Sequence, residues 1–394
     1  MLGRKIKKLK DYWQGRRDLT VYRRQLAEFH NRPATEKFLF VTHELTASGA
    51  PLMLLSAAKA VKKNGGEVLL LAYEKGVLES SFTALDIPVF CHKGFRFNSK
   101  LLKEFSAGFD KVVANTVVSY TAVGFLAGQL PVLWWIHEGK NLDYDYIRIL
   151  GPKKTKPRFM EVLKKAEDIA VVSEYAAEVV KKYNPHVRIV MPGEKDQAPE
   201  ALTYSSGDDL KVKFLLAGTI CERKAQDVLV EAVKNLTPAE RKQCEFHILG
   251  GLKGDFYQNL KQKSAPYPEI IWHDLITDQT AKWAFFNQTD VMLVISRDES
   301  FGLMVLEGSM LGKVIVVSEN VGAKQMVEDE KSGFVVKTGD AVDLVRVIRR
   351  ILNKRSQLSE MGRCAREKYL QYGTEEHFNR RFLELLQTEN PSSF

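Results

Sequence analysis

The chain has 394 residues, 45% of them hydrophobic and 27% charged, with a formal net charge of +9. That length exceeds what one hydrophobic core fills, so two domains are expected, and the composition excludes collagen-like, mucin-like and low-complexity material. The charge is uneven: residues 1 to 24 hold nine Lys or Arg against Asp11 and Asp18, which leaves only +2 on the other 370 residues. A nucleic-acid groove needs clustered cations on the folded body, so that function is disfavoured.

In the basic start, Leu2, Ile6, Leu9 and Trp13 recur at helical spacing among Lys5, Lys7, Lys8, Lys10, Arg16 and Arg17. This predicts a basic amphipathic extension over residues 1–30, able to lie on an anionic membrane through residues 1–24; the alternative is a charged extension packed on the protein's own surface. From residue 38 short β-branched runs alternate with helical segments, the pattern of βα units. Strands are predicted at 38–42, 67–72, 87–91, 111–115, 131–138, 169–173 and 187–191. These form a first domain over 31–192. The polar stretch 193–211, with Pro199 and no apolar period, reads as a linker. A second βα series over 212–373 has strands at 212–218, 246–250, 270–274, 291–296, 314–318 and 333–337, and a terminal helix is predicted within 374–394. Strands apolar along their whole length are buried on both faces, so the expected class is α/β, with two Rossmann-like doubly wound domains facing across a cleft.

The four cysteines, Cys91, Cys221, Cys244 and Cys364, have neither zinc-site nor disulfide-framework spacing. No apolar run reaches the roughly 18 residues of a membrane span, and the start lacks a signal-peptide core. A cytoplasmic protein, peripheral at the inner face of the membrane, is the expectation.

Several familiar motifs fail. No G-x-G-x-x-G follows a strand, "GSMLGKV" at 308–314 has the wrong glycine spacing for a P-loop, and "DYD" at 143–145 does not end an apolar strand as a metal-binding D-x-D would. The informative stretch is "RDESFGLMVLEGSMLGKVIVV", 297–317. It places a turn between a strand's carboxyl end and a helix start, where unpaired N–H groups and the helix dipole favour an anion such as a diphosphate. Glu299 and Glu307 flank that turn. Carboxylates beside an anion site suit hydroxyl groups as partners, as on a sugar and a ribose; the bland alternative is a pair of solvent-facing helix-start acids.

Glu299 and Glu307 form an E-x7-E pattern, and residues 296–336 resemble the C-terminal signature of retaining glycosyltransferase family 4, the glycosyl transferases group 1 of GT-B fold. The stretches "FLFVTHELTASGAPLMLL" (38–55) and "LLAGTICERKAQDVLVEAV" (215–233) resemble that family's first strand with its glycine turn and its phosphate-binding strand-loop-helix. The resemblance implies that Glu299 binds hydroxyls of the transferred sugar and that Glu307 holds the ribose. It implies that the backbone of Ser300, Phe301, Gly302 and Leu303 meets the sugar and diphosphate, which Lys224 and Arg223 neutralise. Gly49 would let backbone approach the phosphates, and His137 would sit near the anomeric carbon. Implied with these are a nucleotide-diphosphate sugar donor, a glycan or lipid-linked acceptor, no metal or other cofactor, and a terminal helix returning to the first domain.

The chain departs from the family pattern at Thr219, where Arg is common after the strand glycine, at Ala225, where glycine is common, and at "MPGE" (191–194), which replaces an Asn-Gly start. A nucleotide-sugar epimerase of the same fold and a non-catalytic scaffold partnering another glycosyltransferase stay open as alternatives. Asn115, Thr116 and Ser173 read most simply as helix caps.

Overall fold

The computed structural model describes residues 21–139, 156–198, 202 and 211–387. The basic residues 1–20 and the "DYD" stretch therefore lie outside the described residues. The chain divides into two compact units: one holds the chain up to Val172, Ala177–Val190 and the residues from Asn379 on, and the other holds Ser173–Ala176 and Met191–Phe378.

The first unit is built on a seven-stranded parallel sheet of order β3-β2-β1-β4-β5-β6-β7. Its strands are β1 (Lys37–Thr42), β2 (Glu67–Ala72), β3 (Val89–Cys91), β4 (Lys111–Asn115), β5 (Val132–Ile136), β6 (Asp168–Val171) and β7 (Val187–Ile189). The second unit has a six-stranded parallel sheet of order β10-β9-β8-β11-β12-β13. Here β8 is Val212–Ala217, β9 Cys244–Leu249, β10 Ile270–His273, β11 Val291–Val294, β12 Val314–Ser318 and β13 Gly333–Val336. Both sheets run outward from their first strand in opposite directions, the doubly wound order. The crevice beside that reversal, β1 against β4 and β8 against β11, is where such sheets take ligands.

The predicted strands all exist, with ends shifted by a few residues. The central ones, such as "FLFVT" and "VIVVS", are buried along nearly their whole length, because helices cover both faces. Two ends matter for the site. The strand predicted over 131–138 stops at Ile136, which puts His137 and Glu138 beyond it. The strand predicted over 291–296 stops at Val294, which lengthens the loop before the next helix.

The extension predicted over 1–30 needs a correction. Residues 21–30 are helical, and Phe29 is 1% exposed within the first unit's core. Its ring stacks on Phe109 at 5.5 Å and Tyr22 meets Phe90 at 4.8 Å. An apolar stripe of Tyr22, Leu26 and Phe29 at helical spacing is what docks it, so any extension ends before residue 21.

The start of the predicted linker is likewise tied down, since Glu194 N–H donates to Gly373 O and Glu375 N–H to Glu194 O, each at 2.9 Å. A Cβ on Gly193 would stand 2.2 Å from Thr374 O, which only glycine avoids. The terminal helix spans Glu375–Gln387. Its later residues belong to the first unit, where Phe382 meets Phe40 at 6.3 Å and Trp135 at 5.2 Å, and Lys111 Nζ donates to Leu386 O at 3.0 Å.

Replacing Phe29 with Ala should cost about 3–5 kcal/mol, the usual penalty for deleting a buried aromatic ring. Urea unfolding of the intact chain measures it, and a change below about 1 kcal/mol would show that the helix over 21–30 is not part of the core.

Candidate active site

In the second unit the crevice is formed by two segments. After β8, the chain passes Gly218, a short 3-10 turn Glu222–Lys224 and Ala225 before the helix Gln226–Asn235. After β11 a loop leads through Glu299 to the helix Leu303–Met310, whose first-turn position is prepared by Gly302 at φ 96°. A Cβ on Gly302 would meet Val321 Cγ1 at 2.8 Å. Positive φ and close approach together call for glycine there.

The two segments are knit to each other. Arg297 N–H donates to Arg223 O at 2.8 Å, and the Arg297 guanidinium grips the Asp227 carboxylate with bonds of 2.8 and 2.7 Å. Glu299 is held by its backbone to the segment after β12, through Glu299 N–H to Asn320 O at 3.0 Å and Gly322 N–H to Glu299 O at 2.9 Å. Its side chain receives three donors on one oxygen: Lys224 Nζ at 2.5 Å, Arg223 Nη1 at 2.6 Å and Ser296 Oγ at 3.3 Å reach Oε2. Burial alone would raise this carboxyl, but the Lys224 charge and then the Arg223 charge outweigh it and hold Glu299 below the usual carboxylate range. Lys224 also runs across Gly218, where a Cβ would touch its Cε at 3.4 Å.

At the helix start, Val305 N–H bonds to Gly302 O at 2.9 Å, while Leu303 and Met304 N–H make no backbone hydrogen bond among the described residues. These donors and the positive end of the dipole suit an anion. Ser300 and Phe301 use their carbonyls structurally: Ser300 O accepts from Ser173 Oγ at 2.5 Å and Phe301 O from Ala323 N–H at 2.7 Å. Ser173 belongs to this unit and also caps its own helix, accepting from Ala176 N–H at 3.1 Å.

Glu307 is the fifth residue of its helix, a little over one turn in, and is buried. Its Oε1 accepts from Lys282 Nζ at 2.7 Å, and its Oε2 is buried without a partner among the described residues. Lys282 in turn lies 4.3 Å from the Trp283 ring centre. Burial raises the Glu307 carboxyl despite Lys282. Burial, then the Glu307 charge, push Glu194 up to about 7. Neither Lys282 nor Glu194 was singled out as a site residue, because nothing at 25 and 113 residues' remove in sequence marks them as neighbours of Glu307. Gly312 stops the helix, with φ 63° and a bond from Lys313 N–H to Gly308 O at 2.9 Å.

The first unit carries its own candidate residues beyond the matching strand ends. Gly49 begins the helix Gly49–Lys63 after β1. His137 follows β5; its ring lies 4.4 Å from Trp135, its Nε2 is buried without a partner among the described residues, and burial pushes its pKa down to about 3. The imidazole is therefore neutral at physiological pH and can hydrogen-bond a ligand without acting as a cation. Beside it Glu138, which the motifs did not mark, accepts from Val117 N–H at 3.3 and 3.2 Å. Thr116 caps Val118 and holds a left-handed φ of 67°, while Asn115 Nδ2 donates to Thr42 Oγ1 at 3.3 Å. Gly49 and His137 are in one unit and Lys224, Glu299 and Glu307 in the other.

Comparison with known proteins decides the family. Residues 206–368 match the family model described as glycosyl transferases group 1, and residues 34–198 that of glycosyl-transferase family 4. The chain belongs to glycosyltransferase family 4. The D-inositol 3-phosphate glycosyltransferase of Arthrobacter sp. (strain FB24) is 27% identical over 213 residues, 50% of each chain; the chain thus spans about half the length of this curated relative. Among solved structures, Anabaena Alr3699/HepE in complex with UDP and glucose superposes with a TM-score of 0.73 at 16% identity, over 90% of this family-4 chain and 100% of that one. WaaG, a glycosyltransferase involved in lipopolysaccharide biosynthesis, gives 0.68 at 13% identity over 89% and 100%. The two doubly wound units thus compose the GT-B fold that the motifs implied.

The charge balance at Glu299 predicts a pH signature. A carboxyl held below its unfolded value stabilises the fold above that value, about 4.3, and the contribution is lost as pH falls through the lower, folded pKa. Lys224→Ala should therefore lower the melting temperature most at neutral pH, with the gap to wild type narrowing as the pH falls below about 4. A gap independent of pH, followed by calorimetry, would contradict the pairing.

Proposed function

We propose that this chain is a retaining glycosyltransferase that moves a sugar from a nucleotide-diphosphate sugar to a glycan or lipid-linked acceptor, without a bound metal. The observation that carries the reading is the Lys224–Glu299–Arg223 cluster beside the open N–H groups of Leu303 and Met304. It places cations, anion-binding donors and a fixed carboxylate within one crevice.

In the proposed step the bond from the anomeric carbon to the diphosphate breaks with its electron pair on the departing oxygen. The acceptor oxygen bonds that carbon on the same face, and its proton leaves to the diphosphate. Negative charge grows on the diphosphate, where Lys224, Arg223 and the helix start are preorganised to receive it. With those cations engaged, Glu299 accepts from sugar hydroxyls, and the partnerless Oε2 of Glu307 accepts from the ribose. His137, neutral, hydrogen-bonds the sugar. UDP and glucose in the Anabaena neighbour support a nucleotide-sugar donor, and the lipopolysaccharide role of WaaG supports cell-surface polysaccharide or glycoconjugate synthesis. The protein would work in the cytoplasm at the inner membrane face, with the basic residues 1–20 contacting anionic lipid.

Two measurements test this. A melting-temperature panel of UDP-, GDP- and dTDP-sugars should pick out a donor, which at 100 times its dissociation constant stabilises by about 2.7 kcal/mol. With that donor, Lys224→Ala and Glu299→Gln should each lower transfer by about 10²–10³. Absence of any nucleotide-sugar shift, or near-full activity of either variant, would reject the reading.

A further inference from the structure

Glu194 stands in the "MPGE" stretch, where the chain departs from the family pattern, so the resemblance assigns it no role. Its backbone is fixed on both sides. The N–H donates to Gly373 O at 2.9 Å, and the carbonyl accepts from Glu375 N–H at 2.9 Å and from Tyr369 Oη at 2.7 Å. Gly373 packs on the helix Leu303–Met310, where a Cβ would stand 2.6 Å from Leu306 Cδ2, and Gln197 N–H reaches Met310 Sδ on the same helix at 3.2 Å. Within the second unit, the segment 194–197 is thus laid along the helix that carries Glu307.

The charges there do not balance. Glu194 is half-buried, and its carboxylate receives no hydrogen bond among the described residues. The charged groups that act on it are Glu307 and Lys282 on neighbouring helices and Glu375 at the start of the terminal helix. Lys282 is committed to Glu307 Oε1 and otherwise lies against the rings of Trp283 and Phe286, whose centres are 4.3 and 5.3 Å from its Nζ. On the segment itself Lys195 is exposed, and Asp196 is bound by Arg366, which also donates to Met310 O at 2.7 Å. His377 Nδ1 is engaged with Thr374 Oγ1 at 2.9 Å, and Lys224 Nζ with Glu299 at 2.5 Å. Three carboxylates therefore share one ammonium where water is scarce, and a retained proton relieves the excess.

We infer that Glu194 is a positioning residue for the ribose site: it shares one proton with Glu307, and the donor binds the protonated pair. This rests on the nucleotide-sugar reading and adds a proton to it. Lys282, bonded to Glu307, favours the proton on Glu194. Glu307 then stays ionised, with Oε2 open to a ribose hydroxyl. Once the proton leaves, a second negative charge faces an anionic donor, and a ligand covering the pair must bury that charge. Burial and the Glu307 charge put this transition at about 7.

The test is donor affinity against pH, by calorimetric titration with the UDP-, GDP- or dTDP-sugar that shifts the melting temperature. A diphosphate esterified at both ends keeps its charge over this range, so the pH dependence belongs to the protein. In wild type the dissociation constant should rise about tenfold from pH 6 to pH 8, as for one linked proton. Glu194→Gln should lose that dependence, and Lys282→Met, by removing the ammonium, should move its midpoint upward. A ligand-free control reads the same proton: a carboxyl held neutral in the fold costs stability as pH rises from its unfolded value of about 4.3. Wild type should therefore lose melting temperature relative to Glu194→Gln between there and about 7, and no more above it. Donor binding with the same pH dependence in wild type and Glu194→Gln would overturn the inference and leave the donor reading standing. Absence of nucleotide-sugar binding at every pH would reject the donor reading, and this inference with it.

Discussion

One carboxylate oxygen organises the second unit's crevice. Oε2 of Glu299 takes Lys224, Arg223 and Ser296 together, joining the segment after β8 to the segment after β11. Without it two cations would stand side by side at a partly buried position, and their repulsion would open the turn that presents Lys224. With it the cations are already in place, so the diphosphate of the proposed donor would have little reorganisation to cause. The doubly wound order supplies the location, because only at its reversal do two neighbouring strands send their following segments apart.

The two glutamates of the E-x7-E pattern occupy opposite electrostatic settings. Glu299 is drawn down by two cations, whereas burial raises Glu307 despite Lys282 and Lys224, with Glu194 nearby. Such a contrast suits a division of labour: the first is a constant charge tied to Lys224 and Arg223, and the second a hydrogen-bonding group that tolerates burial. In the first unit, His137 is held neutral by burial.

Much of this was legible in the sequence, for identifiable reasons. Strands such as "VIVVS" are buried on both faces, so their apolar runs are unbroken. Glu299, Glu307, Gly302 and Gly312 lie within fourteen residues, where local geometry fixes their relation. The groups that complete the site came from elsewhere in the chain. Lys282 reaches Glu307 from a helix whose sequence, "QTAKWAFFN", shows only a surface lysine. Arg297 opens the same stretch of sequence, and its charge is committed to Asp227. The boundary of the basic extension misled for a related reason: cations in the helix over 21–30 concealed the stripe of Tyr22, Leu26 and Phe29 that docks it.

The central claim is that the segments after β8 and β11 together bind the donor. Hydrogen–deuterium exchange with and without a nucleotide-diphosphate sugar measures it amide by amide. The account predicts slowed exchange concentrated in residues 218–225 and 299–305. Protection confined to other segments, with these two unchanged while nucleotide is bound, would contradict it.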